Sequence, residues 1–75
     1  MQRYGNLSGN SGVVSFEIAP QGIDVEFRDR AAYRYTYQSA GSGNIEQMKT
    51  LAVAGRGLSA FINQHVRKLY AQKLR

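Results

Sequence analysis

The sequence predicts a small α+β domain: a three-stranded antiparallel meander followed by two helices packed on one face of it, in the order β-β-β-α-α. Two observations carry this prediction. Residues 13–38 alternate apolar and polar side chains with two interruptions by turn residues, which is typical of strands in a meander. Residues 44–70 place apolar side chains three and four positions apart, which is typical of amphipathic helices. A chain of 75 residues has the size of one small domain, which we assign to residues 13–75.

Residues 1–12 precede the first alternating segment and offer little to bury. We expect a flexible N-terminal tail here, in which only Tyr4 and Leu7 could dock on the domain. The residues that indicate this tail are small or polar: Gly5, Asn6, Ser8, Gly9, Asn10, Ser11 and Gly12.

The three predicted strands follow from period-two alternation. Val14, Phe16 and Ile18 share one face of the first strand, and the turn at Pro20-Gln21 leads into Ile23–Phe27. This turn pairs Ile18 with Ile23, Phe16 with Val25 and Val14 with Phe27, so that every pair is apolar. A polar reversal at Arg28-Asp29-Arg30 leads into the third strand, residues 32–38. We expect that strand to lie at the edge of the sheet.

Three tyrosines alternate in the third predicted strand, and their common face is either a sheet core or an exposed aromatic platform. With a three-residue reversal, Val25 faces Tyr33 and Ile23 faces Tyr35, so the tyrosines share the apolar face. Both helices need that face to cover their own apolar stripes. We therefore predict a core role for Tyr33 and Tyr35, and Tyr37 is expected to be the most exposed of the three.

Two helices follow a breaker segment at residues 39–43. Asn44 is predicted to cap the first helix, and Gly55 to end it. Its apolar face consists of Ile45, Met48, Leu51 and Ala52. The second helix carries a longer stripe: Leu58, Phe61, Ile62, His65, Val66 and Leu69. Its solvent side and its end carry Arg67, Lys68, Lys73 and Arg75, and Tyr70 lies beside the stripe.

These segments together resemble the KTSC domain family. The resemblance rests on residues 23–27, on the Tyr33-Arg34-Tyr35 motif, and on Gly57 with residues 61–67 and Tyr70. The family is a short module with a Tyr-x-Tyr motif, found at the C-terminus of some lysyl-tRNA synthetases and as stand-alone bacterial proteins. The chain departs from the family before the motif, where glycine is common, and after it, where a Val-Pro step is common. The resemblance implies this fold, a bacterial or phage source, and RNA binding as the suggested function.

Composition and charge narrow the possible functions. The chain carries a formal net charge of +5, and all of the excess lies in residues 41–75, which favours anionic partners. A solvated basic helix face is the alternative explanation. Without cysteine there is no disulfide or thiolate metal site, which fits a cytoplasmic location. Neither a membrane-spanning run nor a signal peptide is recognisable. One histidine makes a zinc site unexpected, and we predict no metal and no other cofactor.

We predict a binding domain and not an enzyme. His65, in the apolar stripe, is expected to be a partly buried structural residue, and Asp24 and Glu26 to pair with Arg34 across the strands. Weak nucleic-acid binding, most simply RNA binding, through the basic C-terminal helix and the Gly55-Arg56-Gly57 turn is the first functional hypothesis. Its candidate residues are Arg56, Arg67, Lys68, Lys73 and Arg75, with Tyr37 and Tyr70 as stacking residues; Tyr33, Tyr35 and Phe61 form the core motif. The alternative is a protein-interaction module or homo-oligomer without a nucleic-acid role, suggested by the edge strands and the small core.

Overall fold

The computed structural model describes residues 1–7, 9 and 11–75, and it is an α+β fold built on one antiparallel sheet. Its five strands lie side by side in chain order. They are β1 (Gln2–Arg3), β2 (Val13–Ala19), β3 (Gly22–Phe27), β4 (Ala32–Thr36) and β5 (Gln72–Lys73). Between β4 and β5 lie α1 (Tyr37–Ala40), α2 (Ser42–Ala54), α3 (Leu58–Phe61) and a π-helical segment (Ile62–Val66).

The central register of the sheet confirms the prediction from alternation. Ile18 pairs with Ile23 and Phe16 with Val25, and β4 places Tyr33 opposite Val25 and Tyr35 opposite Ile23. Because side chains alternate between the two faces of a strand, these residues all point to one side of the sheet. That side is the side on which the helices pack.

The first pair of the β2–β3 hairpin differs from the prediction. Phe27 pairs with Val13 instead of Val14, because a β-bulge lies between Val13 and Ser15. The extra residue turns the side chains, so Val13 is 2% exposed and Val14 is 39% exposed.

A single hydrophobic core joins the sheet to the helices. Tyr35 is 1% exposed and lies within this core, as the parity of its position predicts, whereas Tyr33 packs at the margin and is only partly buried. The helices cover this face with six side chains that are almost fully buried: Ile45, Met48, Ala52, Leu58, Ile62 and Val66.

The prediction of a tail over residues 1–12 is wrong for Gln2, Arg3 and Tyr4. Gln2–Arg3 forms the edge strand β1 against β2, and Tyr4 is 3% exposed in the core. Further along, the amide of Leu7 donates to the carbonyl of Gly55 at 2.7 Å. Burial of one large aromatic side chain and backbone pairing hold this segment on the domain. The tail prediction also covers Ser8 and Asn10, which lie outside the described residues.

The segment between β4 and α2 is helical where the sequence predicts strand and breaker. The strand ends at Thr36, which caps α1: its side chain accepts from the amide of Ser39, and the Ser39 hydroxyl accepts from the amide of Thr36. Gly41, and not Asn44, is the N-cap of α2, and its φ of 91° lies in the region open to glycine. Gly55 ends α2 in the left-handed conformation, as predicted.

The second predicted helix is shorter than its apolar stripe indicates. Helical structure ends at Val66, and Leu69 is 44% exposed. The chain then turns and adds β5 to the free edge of β4, where the amide of Ala71 donates to the carbonyl of Arg34 at 2.6 Å. The third predicted strand is therefore an interior strand over the part that pairs with β5. The predicted basic face along one helix does not form, because the helical structure ends at Val66 and Arg67, Lys68 and Arg75 all lie beyond that end.

Candidate nucleic-acid interface

An open cleft lies between the end of the sheet and the π-helical segment. Its volume is about 450 Å³. The β3–β4 turn contributes one wall, the rings of β4 form the floor, and the chain that leaves the π-helical segment forms the other wall. The lining residues are Phe27, Asp29, Tyr33, Tyr35, Ile62, Asn63, Arg67, Lys68 and Tyr70.

Aromatic rings form a continuous cluster in this cleft. The ring centroids of Tyr33 and Tyr70 lie 4.7 Å apart with an interplanar angle of 43°. Tyr70 also meets the edge of Tyr35 at 6.3 Å, and Tyr33 meets Phe27 at 5.9 Å. Tyr70 is 40% exposed, so one of these rings remains open to solvent beside the buried ones. A half-exposed ring that is held in place by other rings is suited to stacking with a planar ligand.

Tyr70 owes its position to the end of the helix. Had the helix continued through Leu69 and Tyr70, the Tyr70 ring would lie on the helix surface and not over β4. The turn after Val66, closed by the bond from the Leu69 amide to the Val66 carbonyl at 2.8 Å, allows the chain to cross to β4. The same turn leaves Arg67 and Lys68 at the rim of the cleft.

Three cations surround the aromatic cluster. Arg67 and Lys68 line the cleft, and the Nζ atom of Lys73 lies 6.0 Å from the centroid of the Tyr33 ring. All three residues are exposed. Within the described residues, none of the three forms a salt bridge, and Asp29 is the only carboxylate that lines the cleft. The cleft and its rim therefore carry an excess of positive charge.

Three candidate residues from the sequence lie elsewhere. Arg56 precedes α3 and therefore lies at the opposite end of the helical segment from Arg67. Arg75 forms an ion pair with Glu26 at 2.9 Å on the open face of the sheet. Tyr37 is partly buried in α1, where its hydroxyl donates to the carboxylate of Glu46 and accepts from Lys49 at 2.7 Å. Tyr33 and Tyr37 are both partly buried, so the prediction that Tyr37 is the most exposed of the three stays a prediction, and the Tyr37 ring belongs to α1 and not to the strand.

One amide beside the turn at Gly55-Arg56-Gly57 is already paired within the protein. The amide of Leu58, the first residue of α3, donates to the hydroxyl of Tyr4 at 3.2 Å. The amide of Phe61 donates to the carbonyl of Gly57 at 3.1 Å. The N-terminal segment thus supplies from within the protein the acceptor that an anion would otherwise supply.

His65 and Phe61 form a pair on the outside of the helical segment. Their ring centroids lie 4.5 Å apart with an interplanar angle of 32°. His65 is exposed, so the prediction of a partly buried histidine is wrong, because the π-helical segment shifts the side chains from the positions expected for 3.6 residues per turn. Phe61 packs against the core as predicted.

The two carboxylates of β3 form ion pairs with arginines on the open face of the sheet, the face opposite the helices. Asp24 accepts two hydrogen bonds from Arg34, at 2.9 and 3.1 Å, as predicted. These bonds and the charge of Asp24 raise the pKa of the Arg34 guanidinium. Glu26 pairs with Arg75 instead, and it accepts from the Ser15 hydroxyl at 2.6 Å. Among the described residues, no three potential metal ligands come together.

The floor of the cleft holds a hydroxyl that stays protonated. Burial of the Tyr35 side chain, together with the neighbouring Tyr33 and Tyr70, raises the pKa of Tyr35 to about 12. Tyr35 lines the cleft although only 1% of its surface is exposed. The Tyr35 hydroxyl is protonated at neutral pH, and the raised pKa keeps it a hydrogen-bond donor well into the alkaline range.

Two residues of the cleft, Asp29 and Asn63, are not among the sequence-based site residues. Asn63 precedes Arg67 by four positions, a spacing that brings side chains to the same side of a helical segment. Asp29 lies two positions after Phe27, whose side chain faces the helices. The alternation pattern therefore places the β3–β4 turn beside this end of the core. These two signals were available in the sequence.

Comparison with known proteins does not identify the chain. No family model matches it, and neither the curated proteins nor the solved structures contain a significant match. The described part of the chain has no helix of the length and hydropathy that a membrane span requires.

Proposed function

We propose that this protein is a small non-enzymatic domain that binds single-stranded nucleic acid, RNA in the first instance, in the cleft between β4 and the π-helical segment. The observation that carries this proposal is the position of Arg67 and Lys68 beside the paired rings of Tyr33 and Tyr70. Proteins bind single strands by stacking bases on aromatic rings and by neutralising phosphates with nearby cations.

In the proposed complex, one base stacks on the open side of Tyr70. Stacking on a protein aromatic ring contributes about 1–3 kcal/mol per base. The flanking phosphates approach Arg67, Lys68 and Lys73, which surround the same rings. With about three phosphate contacts to a single strand, the logarithm of the affinity should fall with the logarithm of salt concentration with a slope of roughly −2. We therefore expect weak, strongly salt-dependent binding.

The choice of RNA over DNA rests on the resemblance to the KTSC family. That resemblance stays a prediction. Charge and aromatic rings favour any single strand, because stacking and phosphate contacts are common to both nucleic acids. A paired titration with an RNA and a DNA of the same sequence decides between them.

Fluorescence anisotropy of a labelled oligoribonucleotide at low salt tests the proposal. The double variant Arg67→Gln with Lys68→Gln should weaken binding at least tenfold and make the salt slope shallower by about one to two. Arg3→Gln with Arg56→Gln is the matched control, since it also removes two exposed cations that do not line the cleft, and it should change the affinity less than twofold. Equal losses from both variants would mean that binding follows net charge and not the cleft. Absence of binding at low salt would refute the proposal.

The alternative function, self-association or protein binding through an edge strand, has less support. Both edge strands, β1 and β5, are only two residues long, and short edge strands offer few free backbone groups for pairing. Sedimentation at several concentrations separates the two functions. A stable dimer that is indifferent to RNA would favour the alternative.

A further inference from the structure

The cleft contains one carboxylate among its cations, and phosphate binding alone does not explain why a carboxylate lies there. Asp29 lines the cleft together with Arg67 and Lys68. Its negative charge opposes the approach of phosphate, so its presence there weakens simple electrostatic binding. A carboxylate does, however, accept two hydrogen bonds at once, and charge-assisted hydrogen bonds are among the strongest in proteins.

The turn holds Asp29 in a fixed position. Its Oδ1 atom accepts from the amide of Ala31 at 3.0 Å, and the amide of Arg30 donates to the carbonyl of Phe27 at 2.9 Å. Arg30 adopts a φ of 70°, which closes the turn tightly. The Oδ2 atom and the second lone pair of Oδ1 remain available to a ligand. A carboxylate that is held by its own turn loses little conformational entropy when it binds.

The size of the cleft limits what Asp29 could meet. A volume of about 450 Å³ lies in the lower part of the range for small-ligand sites, roughly 300–1,000 Å³. This is room for one nucleotide and not for several. A base that stacks on Tyr70 presents its polar edge to the remaining walls, which carry Asp29, Asn63 and the Tyr35 hydroxyl.

We propose that the cleft reads one base of the bound strand and prefers guanine to uracil through the carboxylate of Asp29. This inference rests on the proposed function. Guanine presents two adjacent N–H donors, N1–H and the N2 amino group, which match the two oxygens of a carboxylate. Its O6 acceptor lies next to these donors. Tyr35 and Asn63 also line the cleft, and their side chains can donate a hydrogen bond to O6.

The other bases fit this arrangement less well. Uracil offers one N–H between two carbonyl oxygens, so when one carboxylate oxygen accepts from this N–H, the other faces a carbonyl oxygen and is repelled. Adenine and cytosine offer one amino group next to a ring nitrogen that accepts, so they form at most one of the two bonds. A bidentate contact to a base discriminates strongly against the wrong base, and we expect about tenfold tighter binding of a strand with one guanine than of an all-uracil strand.

Asp29→Asn is the variant that isolates the charge. Asparagine forms the same side-chain turn as aspartate, so the backbone of the β3–β4 turn should be retained. The variant loses one acceptor oxygen and gains a donor that faces the guanine donors. We expect the guanine preference to fall from about tenfold to less than twofold. Binding of the all-uracil strand should become up to about twofold tighter, because a repulsive charge is removed.

The test compares labelled oligoribonucleotides of about eight residues, one containing only uracil and the others with one guanine or one inosine at the centre. Inosine lacks the N2 amino group and should lose most of the guanine preference in the unaltered protein, a result that does not depend on how any variant folds. If no strand binds, the proposed function fails. If all strands bind equally well, the proposed function stands and the guanine inference is wrong. Retention of the full preference in Asp29→Asn would also overturn it.

Discussion

The contact between Tyr4 and α3 gives the sharpest prediction about the fold. Tyr4→Phe keeps the buried ring and removes only the hydroxyl that accepts from the amide of Leu58 at 3.2 Å. Leu58 is 0% exposed, so water cannot replace the lost acceptor without opening the core. An unsatisfied buried donor costs about 1–3 kcal/mol, and the long bond places the expected loss in the lower half of this range, about 1–2 kcal/mol.

Thermal unfolding followed by circular dichroism measures this loss. For a domain of this size, each kcal/mol shifts the Tm by about 4–8 °C, so Tyr4→Phe should lower the Tm by about 4–16 °C. Tyr37→Phe is the matched control, because its hydroxyl bonds to Glu46 and Lys49 near solvent and should contribute at most about 0.5 kcal/mol. Equal Tm values for Tyr4→Phe and the unaltered protein would refute the hydrogen bond between the Tyr4 hydroxyl and the Leu58 amide.

Three further predictions concern stability. Gly22→Ala should unfold the domain or lower its free energy of unfolding by more than about 3 kcal/mol, because a Cβ atom there would lie 1.9 Å from the carbonyl oxygen of Tyr35. Its control is Gly43→Ala in α2, where a Cβ atom would meet nothing within 4 Å, and urea titrations should show a stabilisation of about 0.5–1 kcal/mol. Arg30→Gly should stabilise the protein by about 0.5–1 kcal/mol and so raise the Tm by a few degrees, because Arg30 has a φ of 70° that glycine adopts freely. A lower Tm would show that the Arg30 side chain contributes more stability than the backbone strain costs. The pKa of Tyr35 is raised from 10.0 to about 12 in the folded protein, so the stability that its protonated hydroxyl contributes is complete below pH 10 and is lost as the pH rises towards 12. Tyr35→Phe should therefore flatten the dependence of the free energy of unfolding on pH in this window, and an unchanged dependence would contradict the burial of the phenol.

The centre of the fold could be predicted because two independent signals agree there. The turn at Pro20-Gln21 sets the register, and alternation requires that Phe16 and Ile18 face the same side as Val25 and Ile23. The same parity places Tyr33 and Tyr35 on the helical side of the sheet. A bulge adds one residue without changing the composition of the strand, so the shift from Val14 to Val13 left no signal in the alternation.

Both ends of the chain were mispredicted for a common reason. Their structure depends on contacts with distant residues and not on local propensity. Tyr4 is held by α3, far along the chain, although small polar residues follow it. The helix predicted through Leu69 does not form there, because Ala71 pairs with Arg34 and Tyr70 packs on Tyr33 instead. Tertiary contacts override propensity most easily at such ends, where a short segment loses few local bonds by changing its structure.

The candidate site was found in part because its members come from the segment whose structure was mispredicted. Arg67, Lys68 and Tyr70 were proposed for their charge and ring, which do not depend on whether the segment is helical. Their meeting with Tyr33 does depend on it, since only the turn after Val66 brings the two segments together. Arg75 was assigned to the same surface on the basis of a helix that does not extend to it, and Arg56 on the basis of the Gly55-Arg56-Gly57 turn, which lies at the other end of the helical segment.

The position of bound RNA on the protein is the most direct test of the proposed interface. We would titrate ¹⁵N-labelled protein at low salt with an unlabelled uracil-rich oligoribonucleotide that contains one guanine, and follow the amide chemical shifts. The largest changes should fall at Asp29, Tyr33, Asn63, Arg67 and Lys68, whose side chains line the cleft, and should shrink as salt is added. Amides near Arg56 and on the open face near Glu26 should stay unchanged. Changes centred on those two regions, or no changes at low salt, would contradict RNA binding in this cleft.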